Sequence, residues 1–286
     1  MQSIKSIDVK GRRTRILIEG GADQPPVLLL HGVSRSLEDW ETQFSPLRRA
    51  GYRVLAPDLP GSGFSDRLPT STTLAGLARG VAETLDAIGE TRPAHVLGHS
   101  LGGAVALQVL ASYPDRVATL NLVSSAGFGS GLHPILRLLS IPVIGAFAAR
   151  HTNRATARMN ERQIYRDRSY ATDERIDRAL LLARRPETGT VVHETARSLA
   201  TIRGVRPEWR DELMTAVSQH RRPTLVVWGD HDRILPGRQL DAARRLLPHA
   251  RFSLFRGVGH APHVEAAEKF TELTLDFVRP HSVACA

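Results

Sequence analysis

Two textures of apolar spacing alternate along this chain. Short, nearly continuous apolar runs occur at residues 26–30, 52–56, 94–97, 117–123, 225–228 and 252–255. Between several of them, apolar residues recur every third or fourth position. Leu74, Leu77, Val81, Leu85 and Ile88 form one such stripe, the signature of a helix with one buried face. Residues 40–50 and 104–110 also read as helices. A run that is apolar at every position suits a strand covered on both faces. The alternation therefore predicts an α/β fold: a mostly parallel sheet with helices on both sides. Residues 4–9 and 14–19 alternate polar and apolar around Lys10-Gly11, which predicts a hairpin at the start.

Between residues 127 and 222 the texture changes. The spacing is helical, charges are frequent and no run reads convincingly as a strand. Structureless loops of that length are uncommon in compact domains. The expected organisation is a core built from residues 1–126 and 223–286, with an inserted helical cap at 127–222. Residues 134–147, rich in Leu, Ile and Val, are the expected apolar wall of that cap.

The chemistry concentrates where apolar runs end. Gly98-His99-Ser100-Leu101-Gly102 follows one run and precedes a helical stretch. It fits G-x-S-x-G, a sharp strand-to-helix turn that needs small neighbours because its backbone is crowded. Ser100 is the candidate nucleophile. A serine hydroxyl needs a base within hydrogen-bond reach, and the base needs an acid to orient it. His260, behind Gly257-Val258-Gly259, is the candidate base, with His263 as a competitor. Asp230 and Asp232 follow the run 225–228 and are the acid candidates, which spacing alone leaves open. Asp58 is a third and reads as a turn residue. An oxyanion would need preorganised donors. The backbone N–H groups of Val33, just after the run 26–30, and of Leu101 are placed for that role.

Composition narrows the partners. The net charge of +9 over 286 residues invites a nucleic-acid reading. Only Lys5, Lys10 and Lys269 are lysines, however, and the many arginines are scattered, often beside Asp or Glu. No nucleic-acid partner is expected. Cys285 is the single cysteine, so no internal disulfide is available and a reducing compartment is compatible. Residues 1–19 lack the apolar core of a signal peptide. Residues 134–149 are interrupted by Arg137, Pro142 and Gly145 and are too short to span a bilayer. A soluble, cytoplasmic protein with no membrane span is expected; a homo-oligomer is left open. His231-Asp232 and His260-x-x-His263 contain metal-ligand types, but a triad explains them more simply. No phosphate-binding loop or dinucleotide fingerprint occurs. Neither a cofactor nor a metal is expected.

These motifs together resemble the α/β-hydrolase superfamily, in its capped branch of carboxylesterases, proline iminopeptidases, meta-cleavage-product C–C hydrolases and haloperoxidase-like enzymes. The resemblance rests on His31-Gly32, Asp58-Leu59-Pro60-Gly61-Ser62-Gly63, the segment 98–103, Trp228-Gly229-Asp230-His231-Asp232 and Gly259-His260-Ala261-Pro262. The family pattern W-G-x-x-D implies Asp232 as the acid, beside Ser100 and His260, with Val33 and Leu101 donating to the oxyanion. Ser100 departs from the aspartate nucleophile of haloalkane dehalogenases and epoxide hydrolases. Ala261 departs from the tryptophan that usually follows the histidine in C–C hydrolases. The implied function is a serine hydrolase acting on a small acyl substrate such as a carboxylic ester. Hydrolysis of a C–C bond in a meta-cleavage product is the alternative, and a non-catalytic small-molecule receptor on the same fold is the reading from another class.

Overall fold

Eight strands form the central sheet of the computed structural model, which describes residues 4–282. Cys285 lies outside the described residues. In chain order the strands of that sheet are β1 (Ile4–Val9), β2 (Arg12–Glu19), β3 (Pro26–Leu30), β4 (Arg53–Pro57), β5 (Ala94–His99) and β6 (Val117–Val123), followed by β9 (Thr224–Gly229) and β10 (Arg251–Phe255). A two-stranded ribbon, β7 (Ala200–Thr201) and β8 (Gly204–Val205), lies apart. The spatial order is β1-β2-β4-β3-β5-β6-β9-β10. β2 pairs antiparallel with β1 and with β4, and every other pairing is parallel. The hairpin closes two residues tighter than its alternation suggests, with Val9 opposite Arg12.

Side chains that alternate along a strand fill opposite faces, and both faces here are apolar. Leu28 and Leu30 join Val96, Leu120, Leu122 and Trp228 on one side. There they meet α2 (Leu74–Ala87) and α3 (Leu101–Ser112). Val27 and Leu29 join Leu97, Val123 and Val227 on the other, against α1 (Glu41–Arg49) and, at the chain's end, α12 (Ala267–Val278). The stripe expected at 74–88 forms α2, whose start is capped by the Thr73 hydroxyl accepting from Gly76 N at 3.1 Å.

The long excursion between β6 and β9 holds α4 (Pro134–Leu139), α5 (Ile144–Arg150), α6 (Arg154–Ile164), α7 (Asp173–Ala183), α8 (Thr188–Leu199) and α9 (Pro207–Ser218). It also contains the β7–β8 ribbon, each strand two residues long, too short to leave an alternation in the sequence. The expected apolar wall at 134–147 turns out differently: Val143, Ile144 and Phe147 face solvent. After β9 come α10 (Arg238–Leu246) and α11 (Pro262–Glu265).

One contact sets where α3 begins. A β-carbon on Gly102 would lie 2.6 Å from the carbonyl carbon of Leu30 and 2.7 Å from His31 O. The helix thus starts directly against the end of β3, and only a residue without a side chain allows it. Gly102→Ala is expected to destabilise the protein by about 2 kcal/mol or more through overpacking, read as the midpoint of urea unfolding. An unchanged midpoint would show that the elbow can shift without cost.

Candidate active site

β5 is buried along its whole length and delivers Ser100 into the turn before α3. Ser100 has φ 54° and ψ −114°, a conformation that side-chain-bearing residues rarely adopt. A β-carbon on Gly98 would lie 2.6 Å from Gly103 N, so the turn closes only because that position is bare. The segment after β3 runs alongside: a β-carbon on Gly32 would sit 3.5 Å from that of Ser100.

The two amides expected to receive an oxyanion are both free. Among the described residues, neither Val33 N nor Leu101 N donates to any protein acceptor. The orientation of the Val33 amide is fixed from behind. His31 Nε2 accepts from Leu59 N at 2.9 Å. Its Nδ1 therefore carries the proton of the neutral ring and donates to Gly32 O at 2.8 Å. In a trans peptide the carbonyl and the following N–H point in opposite directions. Holding Gly32 O aims Val33 N–H the other way.

The acid and the base meet at the ends of β9 and β10. Asp232 Oδ2 accepts from His260 Nδ1 at 2.7 Å. Its Oδ1 accepts from Ile234 N at 2.8 Å and Leu235 N at 2.9 Å, which fixes the carboxylate's plane. Asp230 accepts instead from Gly257 N at 2.8 Å and His231 Nδ1 at 2.7 Å, and ties down the loop leading to His260. Asp58 is wholly buried elsewhere, accepting from Leu37 N at 2.7 Å and Phe64 N at 2.8 Å. Burial raises its pKa despite His31, those amides and Arg15.

Ser100 and His260 are both nearly buried, yet no hydrogen bond joins the hydroxyl to the imidazole. The structure forms the acid–base link of the expected triad and not the nucleophile–base link. Such links are commonly loose without substrate.

The His260 loop is gripped by the excursion. His260 N donates to Ile164 O at 2.7 Å. Glu265 accepts from Gly259 N at 2.7 Å through one oxygen, and from Arg166 N at 2.7 Å and Asp167 N at 3.2 Å through the other. Burial outweighs these donors and leaves the Glu265 pKa raised.

Beneath the elbow lies a charged cluster that sequence reasoning missed. Asp39 Oδ2 accepts from His99 Nδ1 at 2.8 Å and Gly32 N at 3.3 Å; Oδ1 accepts from Arg35 Nε at 3.0 Å. His99 Nε2 points at His260 O, 3.0 Å away. Both nitrogens of His99 thus face acceptors, so the ring and Asp39 together carry one proton more than a neutral imidazole and a carboxylate would. Burial would raise the pKa of Asp39, but the charges of His99 and Arg35 outweigh it and hold it well below the usual range. Arg35 reaches on to Glu161 and, at 3.4 Å, to the Tyr165 hydroxyl, both on the excursion. His263 is packed between Trp40 and His99, its ring tilted against both with centroids 4.4 and 4.5 Å away. Burial and the His99 charge keep its pKa well below normal. The sequence signals were His263, already a competitor for the base, and Asp39, an acid directly before a tryptophan.

Donor atoms of Asp39, His99 and His263 lie within 4.8 Å of one another. They do not suit a cation, because Arg35 already neutralises Asp39 and both His99 nitrogens are engaged. Of the pairs singled out in the sequence, Asp232 is committed to His260, and His231 turns to Asp230.

Residues 25–267 match the family model described as alpha/beta hydrolase fold. The chain is 33% identical over 274 residues to a dihydrolipoyllysine-residue acetyltransferase component of the acetoin cleaving system from Pseudomonas putida, spanning 96% of this chain and 69% of that one. It is 32% identical to a 2-hydroxy-6-oxononadienedioate/2-hydroxy-6-oxononatrienedioate hydrolase from Paraburkholderia phymatum, spanning 90% and 88%. Among solved structures, a 2-hydroxy-6-oxo-6-phenylhexa-2,4-dienoate hydrolase from Rhodococcus superposes with a TM-score of 0.83 at 21% identity, covering 98% of this chain and 99% of that one.

Removing the buried Asp39 charge strands Arg35 and His99. Asp39→Asn is expected to cost about 3 kcal/mol at neutral pH, measured by urea unfolding. Because the folded-state pKa of Asp39 lies below its ordinary 3.8, its contribution is complete above that value and is lost as pH falls through the folded value. The gap between wild type and variant should therefore narrow in acid. A constant gap would assign the loss to packing.

Proposed function

The chain belongs to the alpha/beta hydrolase fold family, and from that premise we propose that it is a serine hydrolase of carboxylic esters or related acyl compounds, working through Ser100, His260 and Asp232. The observation that carries this reading is the pair of unpartnered amides, Val33 N and Leu101 N, flanking a serine held at φ 54°. Leu101 is buried and Val33 partly so, and amides left without an acceptor there stand ready for something to occupy them. A carbonyl oxygen that becomes an oxyanion does so during turnover.

In this mechanism His260 takes the proton as Ser100 Oγ attacks the acyl carbon. Asp232 holds the ring in the required tautomer and stabilises its charged form. The electrons pushed onto the carbonyl oxygen face Val33 N and Leu101 N. The intermediate collapses, the leaving group departs with the proton from His260, and an acyl-enzyme remains on Ser100. Water activated by His260 then releases the acid. The Ser100–His260 hydrogen bond forms once substrate fills the site. The excursion, as residues 127–222, acts as the cap that excludes bulk water. The family likeness to an acetyltransferase component also fits an acyl-enzyme intermediate.

A second reading is C–C hydrolysis of a meta-cleavage product, supported by relatives that carry such names at 30–32% identity. The position after His260 bears on it. Ala261 is buried and packs with Tyr165 of the excursion and Val264, so an alanine and a tyrosine fill the space beside the base. That supports the ester reading. A 2-hydroxy-6-oxodienoate and a graded series of p-nitrophenyl esters, assayed side by side, separate the two.

Ser100→Ala is expected to lower kcat on the preferred substrate by roughly 10⁴ to 10⁶ and to abolish labelling by a fluorophosphonate probe, with unfolding little changed. Asp232→Asn should cost about 10⁴ in kcat. Near-normal turnover in Ser100→Ala would falsify the scheme, and a wild type that binds small acyl compounds without turnover or labelling would make it a receptor.

A further inference from the structure

The turn between α4 and α5 exposes four large apolar side chains. Val143 is 81% exposed, Phe147 64%, Ile144 55% and Leu138 40%. These are neighbours on two short helices joined at Ile141-Pro142-Val143. The turn is a built structure. Ile144 N donates to Pro142 O at 2.7 Å, Gly145 N to Ile141 O at 2.8 Å and Phe147 N to Val143 O at 2.9 Å. Val143 itself has φ 63°, a conformation a β-branched residue adopts only at a cost. A β-carbon on Gly145 would lie 2.7 Å from the Leu139 carbonyl carbon, so the second helix starts hard against the end of the first. His193 Nδ1 donates to Leu139 O at 2.8 Å and pins the pair to α8.

The charge along this stretch of sequence is one-sided, although α8, which packs against both helices, carries Glu194 and is preceded by Glu187. From Arg116 to Asn160 the sequence contains no aspartate or glutamate. Arg137 and Arg150 flank the tip. Arg137 Nε donates to Leu132 O at 3.0 Å and Arg150 Nη2 to Thr190 Oγ1 at 3.3 Å, and among the described residues neither has a carboxylate partner. His151 stacks on Phe147 at 3.9 Å. No helix among the described residues is long and apolar enough to cross a membrane. An apolar tip flanked by unpaired cations on a chain of net charge +9 has the two components of interfacial attachment: insertion of apolar side chains at the headgroup boundary and attraction to anionic lipid.

We propose that residues 134–150 dock this protein on the surface of an anionic lipid bilayer, with Val143, Ile144 and Phe147 entering the headgroup boundary and Arg137 and Arg150 meeting lipid phosphates. A protein partner would have to bring carboxylates and a matching apolar hollow, and the exposed tip is small beside the area of a standard protein interface. The foot of the same segment lies at the site: His133 N donates to Ile234 O at 3.0 Å, two residues from Asp232. An apolar substrate dissolved in the bilayer would thus be brought near Ser100. The docking itself does not depend on the catalytic reading.

Flotation of the full chain with vesicles of phosphatidylcholine, alone and with roughly a third phosphatidylglycerol, tests this directly. Wild type should float with the anionic vesicles and far less with phosphatidylcholine alone. Ile144→Ser with Phe147→Ser, and separately Arg137→Gln with Arg150→Gln, should each weaken partitioning about tenfold or more. Thermal unfolding confirms that the variants fold, and sedimentation velocity reports their oligomeric state. The proposal is overturned if wild type stays in solution, if it floats equally on neutral vesicles, or if either variant pair floats like wild type. A wild-type dimer that Ile144→Ser with Phe147→Ser dissociates would also overturn it, giving the patch to a second copy of the chain.

Discussion

One buried carboxylate, that of Asp39, holds the loops of the candidate active site in register. Four segments far apart in sequence touch it or its immediate partners. Gly32 N belongs to the loop that carries the Val33 amide. His99 is the residue before Ser100. Through His99 Nε2 the cluster reaches the main chain of His260. Through Arg35 it reaches Glu161 and Tyr165 on the excursion. A buried charge is costly unless paired and hydrogen-bonded. Asp39 satisfies that condition through His99, Arg35 and Gly32 N, and the first two are in turn held by the other segments. The cost of a misplaced loop is therefore felt at Asp39, which gives the arrangement its specificity.

The surrounding sheet makes such an arrangement possible. β3, β5, β9 and β10 run parallel and are adjacent or nearly so, so the loops after them emerge along one edge. The loop after β3 brings the Val33 amide, β5 brings Ser100, β9 brings Asp232 and β10 brings His260. Ligand sites in open parallel sheets form outside this edge for that reason. The sheet sets approximate positions, and the steric contact of Gly102 with the end of β3 brings the elbow within reach of the loop that carries Val33.

Much of this was legible because apolar runs and stripes report burial directly. The strands 26–30 and 117–123 and the helix at 74–88 follow from period alone. Ser100 was legible because its turn requires small neighbours at fixed offsets. Spacing could not choose between Asp230 and Asp232, since both follow the same strand; their difference lies in which loop each faces. The cluster of Asp39, His99 and His263 was not legible, because its members are spread over more than two hundred positions and each resembles an ordinary turn or helix residue. The segment 134–147 was legible only in part: Ile135, Leu136, Leu139 and Ile141 are partly buried, while Val143, Ile144 and Phe147 face solvent. Composition identifies an apolar stretch, but whether it lines a pocket or faces outward depends on the orientation of two short helices, which a run of Leu, Ile and Val does not encode.

The bond from His260 N to Ile164 O has a consequence for how the enzyme would admit its substrate. The main chain of the candidate base is fastened to the end of α6, in the excursion proposed as its cap. Any lifting of that element wide enough to let a bulky molecule enter unfastens the base at the same moment. If the proposed cap and base hold, entry and bond cleavage would behave as an interlock: the door and the machinery would share one latch, and a substrate would be processed only after the latch had fallen shut behind it.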